Sequence, residues 1–208
     1  MDFVRAIKFP FEDREWPVKL VIGSLLSWVP FVSTGYQISV ARNVMQQKEN
    51  PLPGTEDLGK VITDGVMGTI AWIIYLIPLW PFIFVSMCIS GADNDGGFAT
   101  CVSCCVTILA FAYAIPASML YVMGLYRYIN TGNFSSFIQI GSLWRDVTAN
   151  MNALVTLVVY LVAVSILAAV AGTALVITCV GPLVVAFLAQ VAIGHLIGQA
   201  ASSIKQAA

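Results

Sequence analysis

The chain has 208 residues, of which 59% are hydrophobic and only 10% charged, with a formal net charge of −1. A soluble domain carries about a quarter charged residues, so this balance places the chain among membrane proteins. Without a basic face it has no footprint for the phosphates of nucleic acid, which is not expected as a partner.

Residues 1–16 mix four acids with four bases up to Lys19 and hold no compact basic start, so they do not read as a cleavable leader. They read as an interfacial N-terminus. Residues 17–45 form the first apolar run, interrupted by "SWVPFVSTGY". Two readings stay open for it. A re-entrant hairpin would turn at Pro30, which lacks a helical donor, and at Gly35, which permits a left-handed turn. A single kinked span from Val18 to Val44 would cross. Charge favours the hairpin, because bases flank the run on both sides (Arg5, Lys8, Arg14 and Lys19 before it; Arg42, Lys48 and Lys60 after it). A full crossing would put one basic flank on the wrong side.

A polar loop follows, "QQKENPLPGTED", and then an amphipathic stretch over 57–65 with Leu58, Val61, Ile62 and Val66 at helical spacing. The runs 66–90, 98–129, 154–177 and 183–204 each suffice for about 30 Å of hydrocarbon, which takes roughly 20 helical residues. None shows the alternation of a barrel strand. The predicted fold class is therefore an all-α polytopic membrane protein, a single membrane domain over 1–208: four transmembrane helices, the N-terminal re-entrant or kinked segment, and two interfacial amphipathic helices. The second of these covers 134–147, with Phe134, Phe137, Ile138, Gly141 and Trp144 on one face. Each amphipathic stretch reads either as a collar lying at the headgroups or as a plain extension of the neighbouring span. "CVGPL" is so short that the spans it joins must be antiparallel neighbours.

Three segments echo one another, "TGYQISVARN", "MGLYRYINTGN" and "IGHLIGQAASS". Each sets a glycine and a ring near the end of an apolar run, and the first two add Arg42 and Arg127. Repeats of this kind build transporters, but glycine and interfacial rings are also common in any membrane helix.

The candidate site residues are few. His195, the single histidine, has Gln190 and Gln199 near it in sequence. It reads as a proton-relay or ligand group, or as a polar residue bonding a neighbouring helix, and the second is favoured because no carboxylate flanks it. Ala168 with Gly172, and Gly194 with Gly198, form small-xxx-small pairs suited to helix packing. Cys101, Cys104 and Cys105 share a helix face but read as small hydrophobes, not metal ligands, and Cys88 could bridge Cys101 if oxidised. Asp93 and Asp95 in "GADNDGG" lack the frame of a calcium loop. No catalytic, cofactor or metal site is expected, and the chain is not expected to be an enzyme.

The opening "AIKFPFEDREWPVKLVIGSLLSWVPFVSTGYQISVARNV" resembles the start of an uncharacterised prokaryotic membrane-protein family, the domain of unknown function 4013. The resemblance rests on Lys8 to Asp13, Trp16, Lys19, Ile22-Gly23, Pro30, Gly35-Tyr36 and Arg42-Asn43, with Pro51 to Pro53 and Asp64-Gly65 further on. It implies a bacterial or archaeal cytoplasmic membrane and supplies no activity. The basic segments set the C-terminus on the cytoplasmic side. The functional expectation is a non-catalytic bundle that self-associates or serves as subunit or scaffold of a larger membrane complex, its partners being the bilayer and other subunits. The alternative is a channel or small-molecule transporter with helices broken at Pro30, Pro78, Pro81, Pro116 and Pro182.

Overall fold

A computed structural model describes residues 1–13, 15–26, 28–48, 52–54, 58–92, 97–178 and 180–207. The described chain is helical, with no strand among these residues. Its α-helices are α1 (Phe3–Lys8), α2 (Trp16–Leu26), α3 (Pro30–Met45), α4 (Leu58–Leu76), α5 (Trp80–Ala92), α6 (Gly97–Thr131), α7 (Ile140–Ala149), α8 (Met151–Ala174) and α9 (Gly181–Ala207). Four stretches are long and apolar enough to cross a membrane: Leu58–Ile89, Thr100–Thr131, Met151–Ala174 and Gly181–Ile204. The first includes a 3-10 turn, Ile77–Leu79, where Pro78 removes a helical donor before α5 begins. Pro116, by contrast, lies inside α6, which continues through it.

The first apolar run is two helices, not one kinked helix. Pro30 is the first residue of α3, where its missing N–H would have had no helical partner anyway. Gly35 is not at a turn. It lies inside α3 with an ordinary helical backbone, since Gly132 is the only positive-φ glycine among the described residues. What Gly35 supplies is the missing Cβ: a methyl group there would overlap the Val61 carbonyl oxygen and lie 2.9 Å from the Gly65 nitrogen. Gly65 is reciprocal, its own Cβ position overlapping the Phe31 carbonyl oxygen. At this crossing α3 and α4 meet backbone to backbone.

On its other side α3 runs parallel to α9. A Cβ on Gly194 would come 2.7 Å from the Gln37 carbonyl oxygen, and one on Gly198 would come 2.7 Å from Val44 Cβ. α3 is thus held between α4 and α9, with Ile38, Val40 and Ala41 fully buried. The C-terminal end of α3 and that of α9 lie together, and the N-terminus joins them through Asp2, whose N–H donates to Gln199 Oε1 at 2.7 Å.

Residues 58–65 are the opening turns of α4, continuous with the apolar run that follows, not a separate collar. Residues 134–147 are broken into a 3-10 turn (Phe134–Phe137) and α7, because Gln139 leaves the helical region at φ −77, ψ 59. That break rotates the face expected from a continuous helix. Phe137, Leu143 and Val147 are buried, whereas Ile138 and Trp144 are 54% and 46% exposed. α8 and α9 are antiparallel neighbours joined by a 3-10 turn at Val176–Thr178, and the Gly181 N–H that opens α9 donates to Thr178 Oγ1 at 2.9 Å.

Candidate functional site

The polar groups of the bundle gather at the end where the N-terminus, the last turn of α3 and the last turns of α9 meet. His195 is 3% exposed there. Its ring packs against Phe9, with centroids 4.2 Å apart. Gln199, one turn on, fixes its state. Because Gln199 Oε1 already accepts the Asp2 N–H, its amide nitrogen is the group facing His195 Nδ1 at 3.1 Å. Nδ1 therefore accepts, and the ring proton sits on Nε2. Nε2–H has no hydrogen-bond partner among the described residues.

His195 and Gln199 line a cavity of about 430 Å³ together with Arg5 and Phe9 from the N-terminal segment and Gln47 and Lys48 beyond α3. Glu12 and Asp13 complete the rim. Asp13 is buried and already compensated, accepting from Lys19 Nζ at 2.7 Å and from the Glu15 N–H at 2.8 Å. Asp2 and Gln47, which precede and follow the α2–α3 pair, both line an adjoining cavity that adds Ser202 and Ser203.

Two further polar centres lock helices together. Arg42 on α3 pairs with Asp64 on α4 at 2.5 Å, with side chains 11% and 7% exposed, and Tyr128 on α6 donates to the second Asp64 oxygen at 2.8 Å. Arg127 on α6 donates to Asp146 on α7 through Nε and a terminal nitrogen, and to Ser142 Oγ at 2.7 Å. The spans themselves carry no charge between Val66 and Ser90. Asp64, two residues before that run, is a buried charge at 5% exposure.

Of the sequence-derived candidates, His195 and Gln199 come together, whereas Gln190 is half-buried and bonds to neither. Gly194 and Gly198 lie on the α3 seam. Ala168 lines an apolar groove between α8 and α9 under Ile7 and Phe11, and Gly172 has open space where a Cβ would be. Cys88, Cys101, Cys104 and Cys105 are free and exposed, while Cys179, Asp93 and Asp95 lie outside the described residues. Arg5 and Lys48 stand out in the sequence only as flanking charges and Asp64 only in the family resemblance, and Tyr128 has no sequence signal as a site residue. The echo between the segments at Arg42 and Arg127 held a signal for part of this, since each arginine pairs with an aspartate in the next helical segment.

Residues 22–180 match the family described as "Protein of unknown function (DUF4013)", and the chain belongs to that family. No curated protein and no solved structure matches it.

Proposed function

We propose that the chain is a non-catalytic integral membrane protein, a self-associating bundle or a subunit or scaffold of a larger membrane complex. One observation carries this reading. α5 and the first half of α6 leave the bundle as a hairpin whose helices pack chiefly on each other. Phe84, Met87, Ile108 and Phe111 on it are each more than 60% exposed, and only 6% of the most apolar stretch of the first span is buried, against 50% for the last. Lipid covers apolar side chains without cost. Helices in lipid, however, are held by packing and polar contacts, and a lone pair offers little of either. Between the two helices the hydroxyls of Ser86 and Ser103 meet at 3.3 Å. A second copy or another subunit would supply the missing packing. Native mass spectrometry from nanodiscs should give a mass above that of one copy. A lone monomer in both nanodiscs and mild detergent would rule the reading out.

The setting we infer is a prokaryotic cytoplasmic membrane, with the N- and C-termini cytoplasmic and α2–α3 re-entrant. Its support is that Asp2 and Gln47 share a cavity wall, and that α3 runs parallel to α9 toward the basic end. α4 and α9 cover the body of α3, while Trp28 at the tip itself is exposed. The arms fit too: 11 and 16 residues make about 16 and 24 Å of helix, each short of a full crossing. Single cysteines at Asp2 and Gln47, on a background stripped of other cysteines, should label alike in sealed cells and opposite to native Cys101. Opposite labelling of Asp2 and Gln47 would mean a fifth crossing.

A second reading, a small-molecule carrier, is favoured by the polar cavity at the foot of the broken helix pair. Solute flux into liposomes separates it from the first.

A further inference from the structure

We propose that the space between the two arms of the α2–α3 hairpin holds one acyl chain of a lipid drawn from the cytoplasmic leaflet. The inference rests on the re-entrant placement of these helices proposed above. α2 packs more on α9 than on α3, and α3 lies between α4 and α9, so the arms splay. A cavity of about 460 Å³ is lined by both of them. Its lining changes along its length. Toward the tip it is apolar, with Ile22 and Leu26 from α2 and Val32 from α3. Toward the other end it is polar, with Glu15 and Lys19 around the start of α2, Asn43 in the last turn of α3, and Lys48 just beyond. Tyr36 stands between the two, its hydroxyl reaching the Pro53 carbonyl oxygen only at 3.5 Å.

Depth and polarity select the occupant. α2 has 11 residues, about 16 Å of helix, which is half of a hydrocarbon core about 30 Å thick. The apolar end of the cavity then reaches the middle of the bilayer and the polar end its surface, the layout of a single lipid leaflet. Water does not suit the apolar end, where it would find few hydrogen-bond partners. A helix from another chain does not fit either, since one about 10 Å across and 16 Å long would need roughly 1,200 Å³. An acyl chain is narrow enough, and it gives Ile22 and Leu26, both half-buried, dispersion partners along the slot. Head-group charge is not the selector, because Glu15 stands at the mouth beside Lys19 and Lys48. The site recognises the chain.

The full chain is released for native mass spectrometry from nanodiscs of dioleoylphosphatidylcholine and, separately, of dioleoylphosphatidylglycerol. One lipid per chain is expected to stay bound at collision energies that strip the rest, in both preparations alike. Ile22→Trp and Leu26→Trp fill the cavity and should reduce that adduct about tenfold or more. Val21→Trp and Leu25→Trp enlarge the outer face of the same helix, where the native side chains are 57% and 67% exposed, and should keep it. A second measurement needs no substitution and holds even where a filling variant fails to fold. With one phosphatidylcholine per chain in maltoside, a diazirine on its acyl chain should crosslink chiefly to Ile22, Leu26 and Val32. Absence of a retained lipid, an adduct that Ile22→Trp and Leu26→Trp keep, or crosslinks confined to other helices overturns the proposal. The re-entrant reading fails separately, by opposite labelling of Asp2 and Gln47.

Discussion

Gly65→Ala and Gly35→Ala should each cost the bundle about 3 kcal/mol or more, a large loss for a single methyl group. The usual penalty for overpacking a core is smaller because the neighbour is a side chain that can rotate away. Gly23 is such a case, since the nearest atoms its Cβ would meet belong to the ring of Phe187. At Gly35 and Gly65 the obstacle is a carbonyl oxygen of the facing helix, so α3 and α4 must separate along the whole crossing. Separation also pulls Arg42 away from Asp64, which sits one residue before Gly65. The measurement is thermal unfolding of the purified protein in detergent, where a loss of that size moves the midpoint down by roughly 6–12 °C for a chain of this length. Gly198→Leu should act in the same direction, because the Ala41 oxygen and Val44 lie against it, and Gly172→Ala should do nothing. A Gly65→Ala protein that melts with the wild type would mean that the two helices do not touch at this point.

These glycines also show where sequence reasoning stops. The spans were legible because a bilayer demands about 20 apolar residues in a row, a constraint written locally along the chain. The break before α3 is half legible: Pro30 marks it, but Gly35 reads from sequence as part of the same turn. A missing Cβ serves a left-handed turn and a close helix crossing equally well, and only the partner distinguishes them. That partner, Val61, lies across a polar loop. The pairing of Arg42 with Asp64 was hidden for the same reason, and the mate of Gln199 was hidden more completely. It is the backbone amide of Asp2, 197 residues away, and a backbone amide leaves no mark in the residue order. His195 could be picked out as the single histidine, and a packing role weighed for it. Its tautomer, and hence its free donor, follows only once Asp2 occupies the Gln199 oxygen.

The second large effect is expected at Asp64. Removing its carboxylate with Asp64→Ala leaves the Arg42 guanidinium, 11% exposed, without its counter-charge, and it strands the Tyr128 hydroxyl as well. Breaking one side of a buried pair costs about 3–5 kcal/mol, most of it the penalty of a buried charge left alone. Arg42→Met should cost less than Asp64→Ala, because the remaining carboxylate keeps the Tyr128 hydrogen bond at 2.8 Å. The decisive variant is the double one, Arg42→Met with Asp64→Leu. With both charges gone no buried ion remains at this junction, and exchanging such a pair for apolar side chains of similar size is often neutral or stabilising by about 1–4 kcal/mol. The double variant should therefore recover most of the stability lost by Asp64→Ala. With the single variant Asp64→Leu added to close it, a double-mutant cycle on thermal midpoints reads this as a coupling of about 2 kcal/mol or more between the two positions. Independent, additive losses at Arg42 and Asp64 would mean that the two residues do not form one pair. The α3–α4–α6 junction would then rest on packing at Gly35 and Gly65 alone.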